Sequence, residues 1–271
     1  MPPRTPLGET PVYGESHAPE LLCPLPRRDG RERLGIGDPP PFRGEDIWNA
    51  WELTWLNRKG KPLAATGVFR IPADSGHLIE SKSLKLYLGS LAMTRFDSFE
   101  DVASLIARDL SGVAGGDVAV TLTPVDELLP AALFDLPGSS IDGSDIPCDV
   151  WEADASLLRI AGDEIVSEAL HSHLLRSNCP VTGQPDTGSV LIRYSGPRLD
   201  REALLRYLIS YRRHCAFHEA CVEQMFMDIK RRCAPDRLTV YARYNRRGGI
   251  DINPFRSDFE GAADNLRLSR Q

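Results

Sequence analysis

The chain has 271 residues, of which 42% are hydrophobic and 26% are charged, and its formal net charge is −6. This length is enough for one large domain or two smaller ones with a sizeable core. The acidic balance disfavours a general nucleic-acid binder, and no run approaches the roughly 18 apolar residues of a membrane span, so the composition favours chemistry on small molecules.

The first residues carry no apolar segment behind a basic flank, and we therefore expect a cytoplasmic protein. Its six cysteines include no CxxC pair, and we expect them to be reduced, because a cytosolic thiol pool opposes structural disulfides. Residues 1–41 are rich in proline and glycine. They predict an extended N-terminal arm that lies on a surface and is held there by leucines such as Leu22 and Leu34.

Residues 42–123 read as a first module. The alternation of Trp51, Leu53 and Trp55 predicts a strand, the turn 59–62 follows it, and residues 68–71 form its partner. Asp97 or Ser98 begins a helix that ends at the glycine pair 115–116, and a further strand follows from residue 118.

Residues 124–147 are looser in pattern and predict an interdomain linker. The second module, 148–271, repeats the order of the first. We predict a strand at Ser189–Tyr194, a helix at Pro197–Tyr211 capped by Asp200, a helix at His218–Ile229, and strands around residues 238–244 and 250–252. The fold class is therefore α+β, with two tandem modules, antiparallel sheets and paired helices.

A cysteine and a carboxylate lie in one loop, Arg176–Asp186, which is rich in proline, glycine and small polar residues. Cys179 is expected near accessible backbone amides, and Asp186 follows it by seven residues. A thiol and an acid in this arrangement suit addition to an electrophilic carbon with protonation of the neighbouring atom. The alternative from these residues alone is an incidental or buried cysteine.

A second motif is the segment from Glu80 to Tyr87, in which charges of both signs precede an apolar helical run. Ser81 and Ser83 are helix-start residues by type, which would hold Glu80 and Lys82 at the mouth of the helix. An ordinary capped helix with surface lysines explains the same residues.

The string Glu80-Ser81-Lys82-Ser83-Leu84-Lys85-Leu86-Tyr87 resembles the signature of the QueF family of NADPH-dependent nitrile reductases. The resemblance is to the long, two-module form and extends from Leu7-Gly8 to Asp251–Arg256. It implies the tunnelling fold (T-fold), a homodimer, and reduction of 7-cyano-7-deazaguanine to 7-aminomethyl-7-deazaguanine on the way to the tRNA base queuosine. The chain departs from the pattern at Thr187 and Leu84, where an aromatic residue is expected, and at Gly89, where asparagine is expected.

The resemblance also implies roles for single residues. Cys179 would add to the nitrile and Asp186 would protonate it, with His218 beside them. The substrate would contact Ile79, Glu80, Ser81, His218 and Glu219, because two carboxylates match the donors of a guanine-like edge. NADPH would lie on Ser81, Lys82, Arg247 and Gly248. The nearest match to a dinucleotide fingerprint, Gly35-Ile36-Gly37, has Pro40 where a third glycine belongs.

Three other functions remain open from the residues. His214, Cys215, His218 and Cys221 have zinc-type ligands at helical spacing, although we expect no metal. A T-fold hydrolase acting on a purine or pterin would use the glutamates but leave Cys179 and Asp186 without a task. A non-catalytic module for a modified base or tRNA would need a basic surface, which the net charge does not favour. From the residues alone, a histidine on the helix face that His218 shares with Val222, Met225 and Ile229 is usually a core residue.

Overall fold

The computed structural model describes residues 16–127 and 133–271. Within these ranges the protein is a mixed α+β structure whose sheets are mainly antiparallel. The helices are α1 (Arg27–Arg33), α2 (Ser81–Ser90), α3 (Phe99–Ala114), α4 (Arg201–Ser210) and α5 (His218–Cys233). The strands are β1 (Pro24–Pro26), β2 (Arg43–Asn57), β3 (Pro62–Pro72), β4 (His77–Ile79), β5 (Arg95–Phe96), β6 (Ala119–Pro124), β7 (Ser139–Ser140), β8 (Ile160–Asn178), β9 (Pro185–Leu199), β10 (Arg237–Tyr244) and β11 (Ile250–Ser257).

The described residues form two compact units. The described residues of unit 1 fall within the ranges 1–31, 46–131 and 246–251, and those of unit 2 fall within the ranges 32–45, 132–245 and 252–271. The short segment 246–251 therefore belongs to unit 1, although the sequence around it reads as the end of the second module. No helix in the described part of the chain is long and apolar enough to cross a membrane.

Unit 1 is built on the β2–β3 hairpin, with β6 antiparallel to β3. Its helix α3 confirms the cap prediction: the Ser98 hydroxyl accepts from the backbone of Asp101, and the helix ends at Gly115 with φ of 68°. The residues of α3 that face inward recur every fourth position and are fully buried: Val102, Ile106, Leu110 and Ala114. Of the predicted arm, residues 1–15 lie outside the described residues, and residues 16–31 are tied to this unit, because β1 pairs with β4 and buried Arg27 contacts Asp46 at 2.6 Å.

Unit 2 is built on the β8–β9 hairpin, followed by α4, α5 and the β10–β11 pair. The predicted helix at Pro197 is wrong in its start. Pro197 still pairs with Ile165 in the β-ladder, and α4 begins only at Arg201, where Asp200 accepts from two backbone amides. The long strand β8, which positions the Cys179 loop, had no counterpart in the prediction.

Part of the predicted linker is fixed on unit 2. Strand β7 pairs in parallel with Leu170 and His171, and Asp142 accepts from the Ser172 hydroxyl at 2.6 Å. Gly138 has φ of 89°, and a Cβ there would lie 2.1 Å from the Ala169 carbonyl oxygen. The backbone therefore approaches β8 as closely as only glycine allows.

Candidate active site

Cys179 lies where β8 turns into β9. The ladder pairs Ser177 with Asp186 and Asn178 with Pro185, and the Cys179 amide continues it by donating to the Gln184 carbonyl at 2.9 Å. The Gly183 amide closes the turn by donating back to the Cys179 carbonyl at 3.0 Å. The loop predicted for Cys179 is thus a tight hairpin end rather than an extended connection.

Cys179 and Asp186 share one face of this hairpin. Ser177 is directly opposite Asp186, and Cys179 lies two residues beyond Ser177, so strand alternation directs both side chains to the same side. They form a diagonal pair, for which the ladder predicts Cα atoms about 7–8 Å apart. Asp186 is only 3% exposed, whereas Cys179 is half-buried and accessible to a ligand.

The start of α5 is held against the same hairpin end. The Asn178 amide donates to the His214 carbonyl at 2.8 Å, and the Ala216 amide donates to the Asn178 carbonyl at 3.2 Å. Helix α5 begins two residues later at His218. Two backbone hydrogen bonds next to Cys179 therefore bring the first turn of α5, with His218 and Glu219, to the cysteine and the aspartate.

The His218 ring is placed by contacts on its edge and its face. Its Nε2 lies 3.2 Å from Asp186 Oδ2, and the ring stacks on Tyr244 with centroids 3.8 Å apart and planes at 14°. Its Nδ1 is buried and has no hydrogen-bond partner among the described residues. A buried ring nitrogen without a partner indicates a histidine that can bind a polar ligand group, rather than a core histidine whose hydrogen bonds are satisfied.

The other buried thiol nearby differs in chemistry from Cys179. Burial raises the pKa of Cys221 to about 12, and burial together with Cys221 and Asp186 raises the pKa of Tyr244 well above its usual value. Cys221 is therefore a protonated packing group rather than a thiolate nucleophile.

The carboxylate Glu219 is buried in the first turn of α5, as predicted. In unit 1, Glu80 is also buried, and here the cap prediction needs correction. Glu80, not Ser81 or Ser83, is the N-cap of α2: its carboxylate accepts from the amides of Lys82 at 2.8 Å and Ser83 at 2.7 Å. The neighbouring Ile79 is 3% exposed and pairs with Pro24.

The predicted cofactor residues are near one another in unit 1. Ser81 and Lys82 lie in the first turn of α2, and a Cβ on Gly248 would be 3.2 Å from Nζ of Lys85 in the next turn. The Gly249 carbonyl accepts from the Trp51 amide at 2.8 Å, which fixes the 246–251 turn. Gly248 and Gly249 have φ of 57° and 77°. A glycine turn beside lysines, with Arg247 in it, fits a phosphate group.

Other possible sites in the described residues lie elsewhere. Among the described residues, the one group of three side chains close enough to share a metal ion is Asp135, His171 and His173. The predicted set of His214, Cys215, His218 and Cys221 does not form such a group. A cavity of about 120 Å³ in unit 2 contains none of the predicted site residues; its lining includes Leu136, Arg193, Thr239, Tyr241, Phe255 and Glu260.

Comparison with known proteins identifies the family. A family model described as "Nitrile reductase, 7-cyano-7-deazaguanine-reductase N-term" matches residues 13–122, and a "QueF-like protein" model matches residues 185–262. An NADPH-dependent 7-cyano-7-deazaguanine reductase from Paraburkholderia phymatum is 52% identical over 100% of this chain and 99% of its own. This chain belongs to the QueF family.

Other QueF relatives agree over the same length. The NADPH-dependent 7-cyano-7-deazaguanine reductase of Paraburkholderia phytofirmans is 52% identical over 100% of this chain and 99% of its own, and that of an Azoarcus species is 52% identical over 98% and 95%. The crystal structure of the archaeosine synthase QueF-Like in the apo form gives a TM-score of 0.31 at 19% identity, over 38% of this chain and 99% of that one.

The sequence reasoning missed two residues, Tyr244 and Lys85, that lie next to candidate site residues. Tyr244 alternates with apolar residues along β10 and therefore looked like core, and Lys85 looked like a surface lysine of α2. At neither position does a single sequence distinguish a site residue from an ordinary core or surface residue. Of the departures from the family pattern, Leu84 is fully buried and Thr187 is exposed next to Asp186.

Proposed function

We propose that this QueF chain reduces the nitrile of 7-cyano-7-deazaguanine to the amine of 7-aminomethyl-7-deazaguanine with NADPH, in queuosine biosynthesis. Relatives named NADPH-dependent 7-cyano-7-deazaguanine reductase match it over its full length. One observation carries the mechanism: an accessible cysteine, a buried aspartate and a stacked histidine meet at one hairpin end of unit 2.

In the proposed mechanism Cys179 makes the nitrile reactive. A nitrile carbon accepts hydride poorly, and addition of the Cys179 sulfur to it gives a covalent thioimide with a C=N bond that is a better acceptor. The new bond is S–C, and the nitrile nitrogen takes up one proton. Once the C=N bond of the adduct has been reduced, the S–C bond breaks and the thiolate is restored, and the imine stays bound and takes the second hydride to give the amine.

Asp186 and His218 are the residues that we assign to proton transfer. Asp186 is nearly fully buried on the face that Cys179 also occupies, and we assign it the role of proton donor to the nitrogen of the adduct. His218 contacts the Asp186 carboxylate through Nε2 and has Nδ1 to offer to the ligand. The stack on Tyr244 fixes the ring, so that both nitrogens keep these directions.

Substrate recognition is assigned to the two buried glutamates. Each carboxylate oxygen has two lone pairs, so Glu80 can cap α2 and still accept from a ring N–H or an exocyclic amine. We assign Glu219 the same task from unit 2, with Ile79, Ser81 and His218 as further substrate contacts.

NADPH, when bound, would supply one hydride per molecule, so the conversion of a nitrile into an amine uses two NADPH. Ser81, Lys82, Arg247 and Gly248 would hold it. The positive charge of Lys82 and Arg247 suits its phosphates, and Gly248 allows their close approach to backbone amides.

We also infer that both units are T-fold modules. Each contains the same series of elements, two paired strands, two helices and a further strand: β2, β3, α2, α3 and β6 in unit 1, and β8, β9, α4, α5 and β10 in unit 2. Because one chain would supply only part of a closed tunnel, we propose a homodimer that binds its small-molecule substrate without direct contact to nucleic acid. The cytoplasmic location stays a prediction.

The alternative activities have less support. A purine or pterin hydrolase of the cyclohydrolase type would leave the Cys179 and Asp186 pair without a role, and the full-length relatives carry the name of a reductase. A non-catalytic base-binding module does not need an accessible thiol beside a buried acid.

The test is adduct formation without NADPH. Intact-protein mass spectrometry of the chain with 7-cyano-7-deazaguanine alone should show one added substrate mass, because sulfur addition precedes reduction. Cys179→Ala should show none. Cys215→Ala is the matched control, since Cys215 is exposed and its backbone pairs with Asn178, and it should keep the adduct. An adduct on Cys179→Ala, or none on the wild type, contradicts the nucleophile assignment.

A further inference from the structure

A group of metal-binding side chains lies outside the proposed active site, where β7 and its flanking residues dock on β8. Asp135, His171 and His173 each direct one ligand atom to a common region, with all three atoms within 4.8 Å of one another. Nε2 of His173 is 3.0 Å from Asp135 Oδ1, and the two imidazole rings are 5.2 Å apart. None of these residues has a role in nitrile reduction.

The backbone that carries these ligands is fixed. His171 and His173 are two residues apart on β8, so strand alternation directs both rings to the same side, and the β8–β9 ladder has a register shift between Ser172 and Leu175. On the other side, β7 pairs with Leu170 and His171, and Asp142 accepts from the His173 amide at 2.8 Å. The ligands therefore sit on a preorganised scaffold.

Both histidines have an oxygen partner on the nitrogen that points away from the group. Nδ1 of His171 is 3.2 Å from the Pro137 carbonyl, which can only accept, so the proton is on Nδ1 and the lone pair of the neutral ring is on Nε2. Nδ1 of His173 is 2.7 Å from the Ser189 hydroxyl. An oxygen partner on the second ring nitrogen is the usual support of a metal-bound histidine.

We propose that Asp135, His171 and His173 bind a divalent transition metal ion of the Zn²⁺ type, which pins the segment before β7 to β8. Two imidazoles and a carboxylate are a ligand set for zinc and its neighbours. Tetrahedral bonds of about 2.0–2.1 Å place adjacent ligand atoms about 3.3–3.4 Å apart, and the 3.0 Å contact of His173 with Asp135 is within about 0.4 Å of this spacing. The Asp135 side chain is 71% exposed, so it can move inward, and water can complete the coordination.

The competing interpretation is a plain ion pair between His173 and Asp135. The two make opposite predictions on metal uptake. A plain ion pair takes up no metal ion, whereas the metal site binds one Zn²⁺ per chain and loses affinity when any one of its three ligands is replaced.

The experiment uses full-length, tag-free protein treated with EDTA and dialysed, with Cys179→Ala and Cys215→Ala as background to remove accessible thiols. Calorimetric titration with Zn²⁺ should show one ion per chain. His171→Gln, His173→Gln and Asp135→Asn should each weaken its affinity at least tenfold, while the matched controls His214→Gln and Asp145→Asn should not. Asp135→Asn changes an exposed side chain and keeps the fold, which circular dichroism checks.

Unchanged affinity in Asp135→Asn and His173→Gln would overturn the site, as would absence of stoichiometric binding at 100-micromolar Zn²⁺. Bound Co²⁺ provides a second readout, because its visible spectrum should change in the histidine variants and not in Asp145→Asn. NADPH oxidation is measured with Asp135→Asn as the sole substitution, so that Cys179 is present, and it should equal that of the unaltered enzyme, which separates this proposal from the proposed activity.

Discussion

Glu80 has two tasks in this reading, and they can be separated by substitution. Its carboxylate caps α2 by accepting from the Lys82 and Ser83 amides. We propose that it also accepts a hydrogen bond from the substrate base. Glu80→Ala removes both functions. Loss of an N-cap costs about 1–2 kcal/mol of unfolding free energy at a helix N-terminus that also favours negative charge. We expect the melting temperature to fall by roughly 2 to 8 °C.

The effect on binding has its own magnitude. A lost charge-assisted hydrogen bond to the substrate costs about 1.5–3 kcal/mol, which is roughly a 10- to 150-fold rise in Kd. Calorimetry with 7-cyano-7-deazaguanine and no NADPH measures it. Glu80→Gln keeps one side-chain acceptor for the cap but removes the charge, so it should lose most of this affinity while it keeps more of the stability than Glu80→Ala.

Ser98→Ala is the matched control, because Ser98 caps α3 in the same unit through its hydroxyl. It should lower stability by about 1 kcal/mol and leave the substrate Kd unchanged. If Glu80→Ala binds substrate as tightly as Ser98→Ala does, Glu80 is only a cap. If Glu80→Ala lowers affinity without lowering stability, the cap energetics assumed here are wrong.

Three further outcomes are expected. Arg247→Ala should weaken NADPH binding, most at low salt, and should keep the Cys179 adduct. The control Arg58→Ala, on another turn of unit 1, should change neither. Normal NADPH affinity in Arg247→Ala would show that the cofactor binds at another site. Burial lowers the pKa of His214 below its usual 6.5, so the unfolded chain takes up more protons there, and stability should fall as the pH drops below 6.5. His214→Gln should flatten that pH dependence in urea unfolding, and an unchanged slope would assign it to other groups. With a thiol reagent, Cys215 and Cys179 should react in the folded protein, and Cys221 and Cys233 only on unfolding, since burial raises the pKa of Cys221 to about 12 and of Cys233 to about 11.

The parts of the fold that were predictable are those in which local pattern and tertiary burial agree. Helix α3 has a serine cap, a four-residue apolar repeat and a terminal glycine, and all three have the expected structural role. Strand β8 had no such signal, because its residues from Ile160 to Glu168 are largely exposed and mix apolar with charged residues, and only its second half is buried. Strand pairing with β9, which the local sequence does not encode, makes this stretch a strand.

The chemical types of the site residues were readable, but not how they meet. A cysteine, an aspartate seven residues later and a histidine at a helix start are visible in the sequence. Their convergence depends on the Asn178 hydrogen bonds to residues 214 and 216, which involve backbone groups and leave no trace in side-chain type. In the same way, Glu80 is an unusual N-cap, since its longer side chain is not among the residues preferred there.

The choice of one nucleophile among six cysteines follows from position rather than from residue type. Cys221 and Cys233 are buried with raised pKa values, and burial and Glu80 raise the pKa of Cys23. Cys215 is exposed, but the buried acid is paired across the ladder from Ser177, two residues before Cys179. A thiol must be reachable by the nitrile and must share a face with a proton donor, and Cys179 is the cysteine for which the hairpin supplies both conditions. The hairpin end is therefore the feature on which the proposed reductase mechanism depends.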